Sequence, residues 1–135
     1  SIYKELFNYF GKDSRIESPF FCDCGKKISI GERTLINFNC VFLDGDQIQI
    51  GNDCWIGPNV QIYSSTHPIN YIERRLKCSA KPITIGNDVW IGGGSIICPG
   101  ISIGDRSIIG AGSVVTKDIP SDVIAFGNPC KIHQS

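Results

Sequence analysis

Residues 85–115 read IGNDVWIGGGSIICPGISIGDRSIIGAGSVV, and an apolar residue recurs there every six positions, at Ile85, Ile91, Ile97, Ile103, Ile109 and Val115. Glycine follows it at Gly86, Gly92, Gly104 and Gly110, and a small or apolar residue stands four places after it at Val89, Ser95, Ile101, Ser107, Ser113 and Ile119. This period matches neither a helix, at about 3.6 residues, nor plain strand alternation, at about 2. It calls for a short strand and a corner in each hexad. The β-branched residue suits an inward strand position. The glycine suits a corner where side chains crowd or φ is positive. Three flat faces close one triangular coil, so Ile85 should stack on Ile103 and Ile91 on Ile109. One coil cannot bury its own apolar face, whereas a stack of coils makes a continuous column of Ile and Val.

The register extends outward from this stretch. It runs through Ile50, Ile56 and Ile62, with Cys54 and Val60 four places after the first two, and through Ile30 and Ile36, followed by Thr34 and Cys40. Residues 43–49 insert two extra positions, and residues 67–82 form a longer excursion with Pro68 and Pro82 near its ends and Glu73, Arg74, Arg75 and Lys77 inside. A long loop within a solenoid is often functional, the alternative being a neutral surface insertion. Residues 2–10 read as a short helix, with Ile2, Leu6, Phe7 and Phe10 near one face, that would cap the open end of the stack. Lys117-Asp118-Ile119-Pro120 should stop the repeat, with Val123 to Pro129 folding back as a last strand and turn. His133 falls in the last three residues, where fraying is expected.

The chain has 135 residues with 13 basic and 13 acidic side chains, which suits one domain and gives no nucleic-acid footprint or polybasic membrane patch. No apolar run approaches the roughly 20 residues of a membrane span. The N-terminal stretch, with Lys4 and Glu5 among its apolar residues, is not patterned as a signal peptide. Seven cysteines without a CxxC pair fit a reduced, cytoplasmic protein in which the thiols act as small, mostly buried hydrophobes. The Cys22–Cys24 pair is a weak metal signal, and no metal site is expected. The absence of methionine suggests a processed or excised part of a longer protein.

Among residues able to do chemistry, His67 stands where the repeat ends and the loop begins, in Ser65-Thr66-His67-Pro68. An imidazole can take a proton at neutral pH, which makes His67 the natural general base for a hydroxyl. The alternative is a turn histidine bonded to the backbone. Cys78 is the one thiol placed to be reactive, since Cys40 and Cys54 hold inward positions. Asp23, Asn37 and Asp44 could orient a hydroxyl or do ordinary turn chemistry, as Asp44-Gly45 commonly does. Trp90-Ile91-Gly92-Gly93-Gly94 lacks the strand-to-helix context of a phosphate loop, although free N–H groups there can face a developing oxyanion.

These hexads, together with Asn37-Phe38-Asn39-Cys40, Thr66-His67-Pro68, Asn87-Asp88-Val89-Trp90-Ile91-Gly92 and the run Gly110 to Pro120, resemble the hexapeptide-repeat acetyltransferases. Within them the match is closest to the maltose and galactoside O-acetyltransferases and the related nodulation acetyltransferase. The resemblance runs from about Leu6 to Ile132. It implies an all-β fold, a left-handed parallel β-helix with a short N-terminal helix and an extended loop. Residues 1–20 would be a helical cap, the remnant of a longer family segment. Residues 21–135 would be the β-helix domain, with loop 67–82 and the C-terminal fold-back.

The resemblance also implies a homotrimer with active sites between subunits and direct transfer from acetyl-CoA. His67 would be the catalytic base, and Asp23, Asn37, Asp44 and Trp90 would bind the acceptor. Gly93, Ala111, Thr116, Lys117 and Lys131 would touch coenzyme A, with the Gly93 N–H as oxyanion donor. The chain departs from the family pattern in its short N-terminal segment, in Arg75-Leu76-Lys77-Cys78 within the loop, and in Lys131 and Gln134 at positions of coenzyme-binding arginines. The expected activity is O-acetylation of a sugar or saccharide hydroxyl. An amine or xenobiotic acceptor, or a non-catalytic assembly module, are the alternatives.

Overall fold

In the computed structural model, which describes residues 1–135, the hexads wind into a β-solenoid of about six turns walled by parallel sheets. The first wall stacks Tyr9–Phe10, Ile28–Ile30, Ile48–Ile50, Ile83–Ile85 and Ser102–Ile103. The second stacks Arg15–Ile16, Leu35–Ile36, Trp55–Ile56, Trp90–Ile91, Ile108–Ile109 and Ile124–Gly127, with Cys130–Gln134 added antiparallel at its end. The third stacks Phe20–Cys22, Cys40–Leu43, Gln61–Tyr63, Ile96–Ile97 and Val114–Val115. Ile85 pairs with Ile103 and Ile91 with Ile109, as the period requires. This is the all-β parallel solenoid with a short N-terminal helix that the family resemblance implies.

Twenty-six buried apolar residues form a single cluster along the axis. Ile36, Ile62, Ile91, Ile97 and Ile109 are fully enclosed, and burying each such side chain contributes about 1.5–3 kcal/mol. The inward serines and threonines do not interrupt this column, because each hydroxyl meets a carbonyl of a corner. Thr34 donates to Gly51 at 2.8 Å, Ser95 to Gly110 at 3.1 Å and Ser107 to Pro120 at 2.6 Å. Of the two reasons for glycine after the inward residue, crowding is the one that operates. A Cβ on Gly92 would lie 2.5 Å from the Ala111 amide nitrogen of the next coil. Positive φ occurs two residues later instead, at Gly94 (75°), and at Asp88 (56°) and Arg106 (60°) in neighbouring hexads.

The ends differ from the expected boundaries. The helix spans only Ile2–Leu6, because Phe7 takes an extended backbone and the Asn8 amide already bonds Ile28 of the next coil. Residues 1–20, expected as a helical cap, therefore hold that helix and most of the first coil, whose third strand begins at Phe20. The helix still closes the stack, with Tyr3, Phe7, Phe10 and Phe20 in edge and tilted contacts 5.3–6.0 Å apart. At the other end Ile119 continues the first wall by bridging to Ile103, so Lys117 to Pro120 do not stop the repeat. His133 is not frayed: its ring stacks on Phe126 at 3.6 Å within the final hairpin.

The excursion is an arm. Ser65–Thr66 and Ser79–Ala80 pair antiparallel at its base, and a helix, Tyr71–Leu76, forms its tip. Asn70 caps that helix, its side-chain oxygen accepting from the amides of Ile72 and Glu73 at 3.0 Å. The arm leaves Ile69 97% and Leu76 83% exposed.

Candidate active site

A groove of about 490 Å³ runs along the second wall and its outgoing corner. Its floor comes from outward residues at one hexad position in successive coils: Leu35, Trp55, Trp90 and Ile108, consecutive partners in register. Outward positions alternate with the buried Ile36, Ile56, Ile91 and Ile109, so the repeat that builds the core also exposes this stripe. The corner adds Asn37, Gly57, Pro58, Gly93 and Ala111. Four of the expected site residues, Asn37, Trp90, Gly93 and Ala111, thus meet in one place. The amides of Gly92 and Gly94 donate to Ile109 and Pro58 at 2.7 and 2.9 Å, whereas the Gly93 N–H enters no backbone hydrogen bond. A free donor at a corner without side chains suits a carbonyl oxygen that gains charge. Lys131 lies on the last strand of the same wall and is exposed.

The other expected residues occupy a different edge. Asp23, Asp44 and Thr116 with Lys117 each follow a strand of the third wall, and His67 leaves the stack from the same corner by way of the arm. The whole third wall separates them from the groove in one chain. His67, Asp23, Thr116 and Lys117 are exposed there. Asp44 is not, being 2% exposed. Its Oδ1 accepts from the amides of Asp23 and Cys24 at 3.1 and 3.2 Å, and its Oδ2 from the Cys24 thiol at 3.2 Å and the Lys27 amide at 3.3 Å. Both oxygens are committed to the 23–27 turn, so the group this turn offers outward is Asp23. The alternation of the strand carries on past its end, with Cys40, Phe42 and Asp44 all buried, so Asp44 faces inward.

All seven cysteines are free thiols. Only Cys40, Cys54 and Cys130 are buried, while Cys24 and Cys78 are exposed, because the latter two lie on corner turns and the arm. Burial pushes the Cys40 thiol up to about 11 and raises that of Cys54, which keeps both in the unreactive neutral form. Trp55 was not singled out from the sequence, although it holds the hexad position of Trp90, one residue before the inward isoleucine. No helix is long and apolar enough to cross a membrane.

Comparison with known proteins bears on the family and the fold. Residues 82–117 match the family described as bacterial transferase hexapeptide (six repeats), and residues 27–64 match the hexapeptide repeat of succinyl-transferase. The galactoside O-acetyltransferase of Escherichia coli (strain K12) is 42% identical over 98% of this chain and 66% of its own length. The crystal structure of a maltose O-acetyltransferase from Clostridium difficile 630 superposes with a TM-score of 0.97 at 47% identity, covering 99% of this chain and 72% of that one. A hexapeptide-repeat acetyltransferase from Vibrio cholerae O1 biovar eltor, solved with acetyl-coenzyme A, is 44% identical with a TM-score of 0.96, over 99% and 74% of the two chains. The chain spans about two thirds of the length of the curated relatives it matches.

Proposed function

The chain belongs to the hexapeptide-repeat acetyltransferases, a family of enzymes, and we propose that it transfers acetyl from acetyl-coenzyme A to a hydroxyl of a sugar or saccharide acceptor. The observation that carries this reading is the division of the site. One edge of the prism bears the groove with Asn37, Trp90, Gly93 and Ala111, and another bears His67, Asp23, Thr116 and Lys117. Neither half is an active site alone. In a homotrimer each copy offers one edge to each neighbour, and the two halves complete each other in every cleft. The outward stripe Leu35, Trp55, Trp90 and Ile108 and the outward Phe21, Val41, Ile96 and Val114 of the third wall supply apolar surface for such packing. The exposed apolar residues of the arm, Ile69 and Leu76, belong to the same excursion as His67 and would be covered in the same assembly.

Acetyl-coenzyme A is the acetyl donor. The groove has the volume and the side-chain-free corner to take its thioester end, with Gly93 and Ala111 against it and Thr116, Lys117 and Lys131 as polar and cationic contacts. His67 accepts the proton of the attacking hydroxyl, which forms the new ester bond as the carbon–sulfur bond breaks, and the proton then passes to the departing thiol sulfur. Asn37 and Asp23 orient the acceptor, Asp44 fixing Asp23 from below. The Gly93 N–H donates to the carbonyl oxygen as negative charge develops on it. Seven free thiols fit a reduced, cytoplasmic setting.

Thiol release from acetyl-coenzyme A with a panel of sugars tests this reading. Release should depend on the acceptor, and His67→Ala should lower kcat by about 10²-fold or more with little change in coenzyme A affinity. Wild-type turnover in His67→Ala would reject the mechanism. Turnover of amines but no sugar would move the acceptor to the amine class.

A further inference from the structure

Cys22 and Cys24 stand on either side of Asp23, where the strand Phe20–Cys22 ends, and acetyl transfer uses neither thiol. In a strand, consecutive amides point to opposite sides, and residues two apart are separated by about 6.6 Å. Here the amides of Asp23 and Cys24 both reach Oδ1 of Asp44, at 3.1 and 3.2 Å. The backbone therefore curls around that carboxylate and draws Cys24 back toward Cys22. The Cys24 thiol donates to Asp44 Oδ2 at 3.2 Å. Cys22 is half-buried against the core, and burial, followed by the charges of Asp44 and Cys24, raises its thiol above the usual range. Both thiols are thus neighbours of one carboxylate, although the three side chains do not converge as metal ligands. The N-terminal helix closes the other side of the turn, the Leu6 side chain lying 2.7 Å from where a Cβ on Gly25 would stand. A turn held from both sides passes a change of bonding between its sulfurs to Asp23, the residue between them.

We propose that Cys22 and Cys24 form a redox switch, closing into a disulfide in the presence of a hydroperoxide and thereby displacing Asp23. The exposed Cys24 thiol attacks the peroxide, its sulfur taking one oxygen as a sulfenic acid while water leaves. The Cys22 sulfur, as thiolate, then attacks that sulfur, forming the S–S bond and expelling hydroxide, which takes up the Cys22 proton and leaves as the second water. Two thiols and one hydrogen peroxide thus give one disulfide and two waters. A disulfide holds its Cβ atoms about 3.8 Å apart, so closure tightens the curl at Asp23. It also removes the Cys24 S–H, leaving Asp44 Oδ2 only the Lys27 amide, at 3.3 Å. Both changes move the Asp23 carboxylate, and their effect on catalysis rests on the acceptor-orienting role given to Asp23 above. The bond to Asp44 keeps the Cys24 proton in place, which makes the switch slow and fits it to sustained oxidation.

The test treats the full chain with hydrogen peroxide and then with dithiothreitol, and compares wild type with Cys22→Ser and Cys24→Ser. Serine at position 24 removes the sulfur but keeps a hydroxyl donor for Asp44. Peptide mass mapping of the oxidised wild type should find Cys22 joined to Cys24, with the loss of two hydrogens. The acceptor KM should rise about tenfold, the scale of one hydrogen bond to a charged group, with coenzyme A affinity unchanged. Dithiothreitol should restore the original KM, and each serine variant should keep the same KM before and after peroxide. Absence of the Cys22–Cys24 disulfide, an unchanged KM once it has formed, or the same rise in Cys24→Ser would overturn the switch while leaving the acetyl-transfer reading intact. Absence of turnover with every hydroxyl acceptor in the reduced wild type, while coenzyme A still binds, would overturn both.

Discussion

The carboxylate of Asp44 holds the backbone of Asp23, accepting its amide at 3.1 Å from a position 2% exposed to solvent. Three more donors of the same turn, the Cys24 amide, the Cys24 thiol and the Lys27 amide, converge on it at 3.2–3.3 Å. Asp44→Ala should leave these donors unpaired and destabilise the fold by about 2–4 kcal/mol. Urea unfolding measures this as a lower midpoint at constant slope. Asp44→Asn keeps the shape and one acceptor, and should lose less. A wild-type midpoint for Asp44→Ala would show that the turn stands without it.

The division of the site between two edges predicts complementation. His67→Ala and Asn37→Ala chains should each be nearly inactive by themselves. Randomly mixed into trimers at equal amounts, they should recover about one quarter of the wild-type sites, because that fraction of clefts pairs an intact His67 with an intact Asn37. Activity of the reassembled mixture reads this directly, and light scattering should give the mass of three chains. No recovery in a confirmed mixed trimer would place both residues in one chain's site.

Two glycines separate crowding from backbone strain. At Gly92 an added methyl would sit 2.5 Å from the backbone of the next coil, whereas at Gly112 nothing lies within 4 Å but φ is 72°. Gly112→Ala should cost about 1–2 kcal/mol, the left-handed penalty for an L-residue. Gly92→Ala forces two coils apart and should cost more, about 3 kcal/mol. Thermal unfolding of the pair ranks them. The reverse order would mean that the coils yield more easily than the backbone.

The thiols should divide by position. An aromatic disulfide reagent should label the exposed Cys24 and Cys78 in the native protein and reach the buried Cys40, Cys54 and Cys130 only on unfolding. Burial holds the Cys40 thiol near 11, so at neutral pH it carries almost no thiolate. Mass spectrometry of labelled peptides separates the two groups. Native labelling of Cys40 would mean that the column opens far more readily than its packing implies.

The repeat was legible because each hexad sees the same surroundings. An isoleucine at a fixed interval determines its own wall, its burial and the partner three hexads along the chain on which it stacks, without reference to other residues. Ile85 on Ile103 and Ile91 on Ile109 follow from spacing alone. The short arm helix, the stacking of His133 on Phe126 and the shortened N-terminal helix did not follow, since each depends on a local contact that breaks the period. Trp55 was legible in principle, by its hexad position, but exposure beside Trp90 in a groove emerges only when two coils are laid together.

The sequence by itself determined the parallel coils, the inward column and the residues able to do chemistry, His67 foremost. Only the tertiary structure decided how those residues are shared out. It set Asp44 under Asp23, 21 positions away, as a buried anchor, and placed Asn37 and Gly93 on one edge while His67 left from another. The physical reason is that a repeat encodes distances along the chain, whereas the corner a residue occupies depends on every insertion before it, including the two extra residues at 43–49.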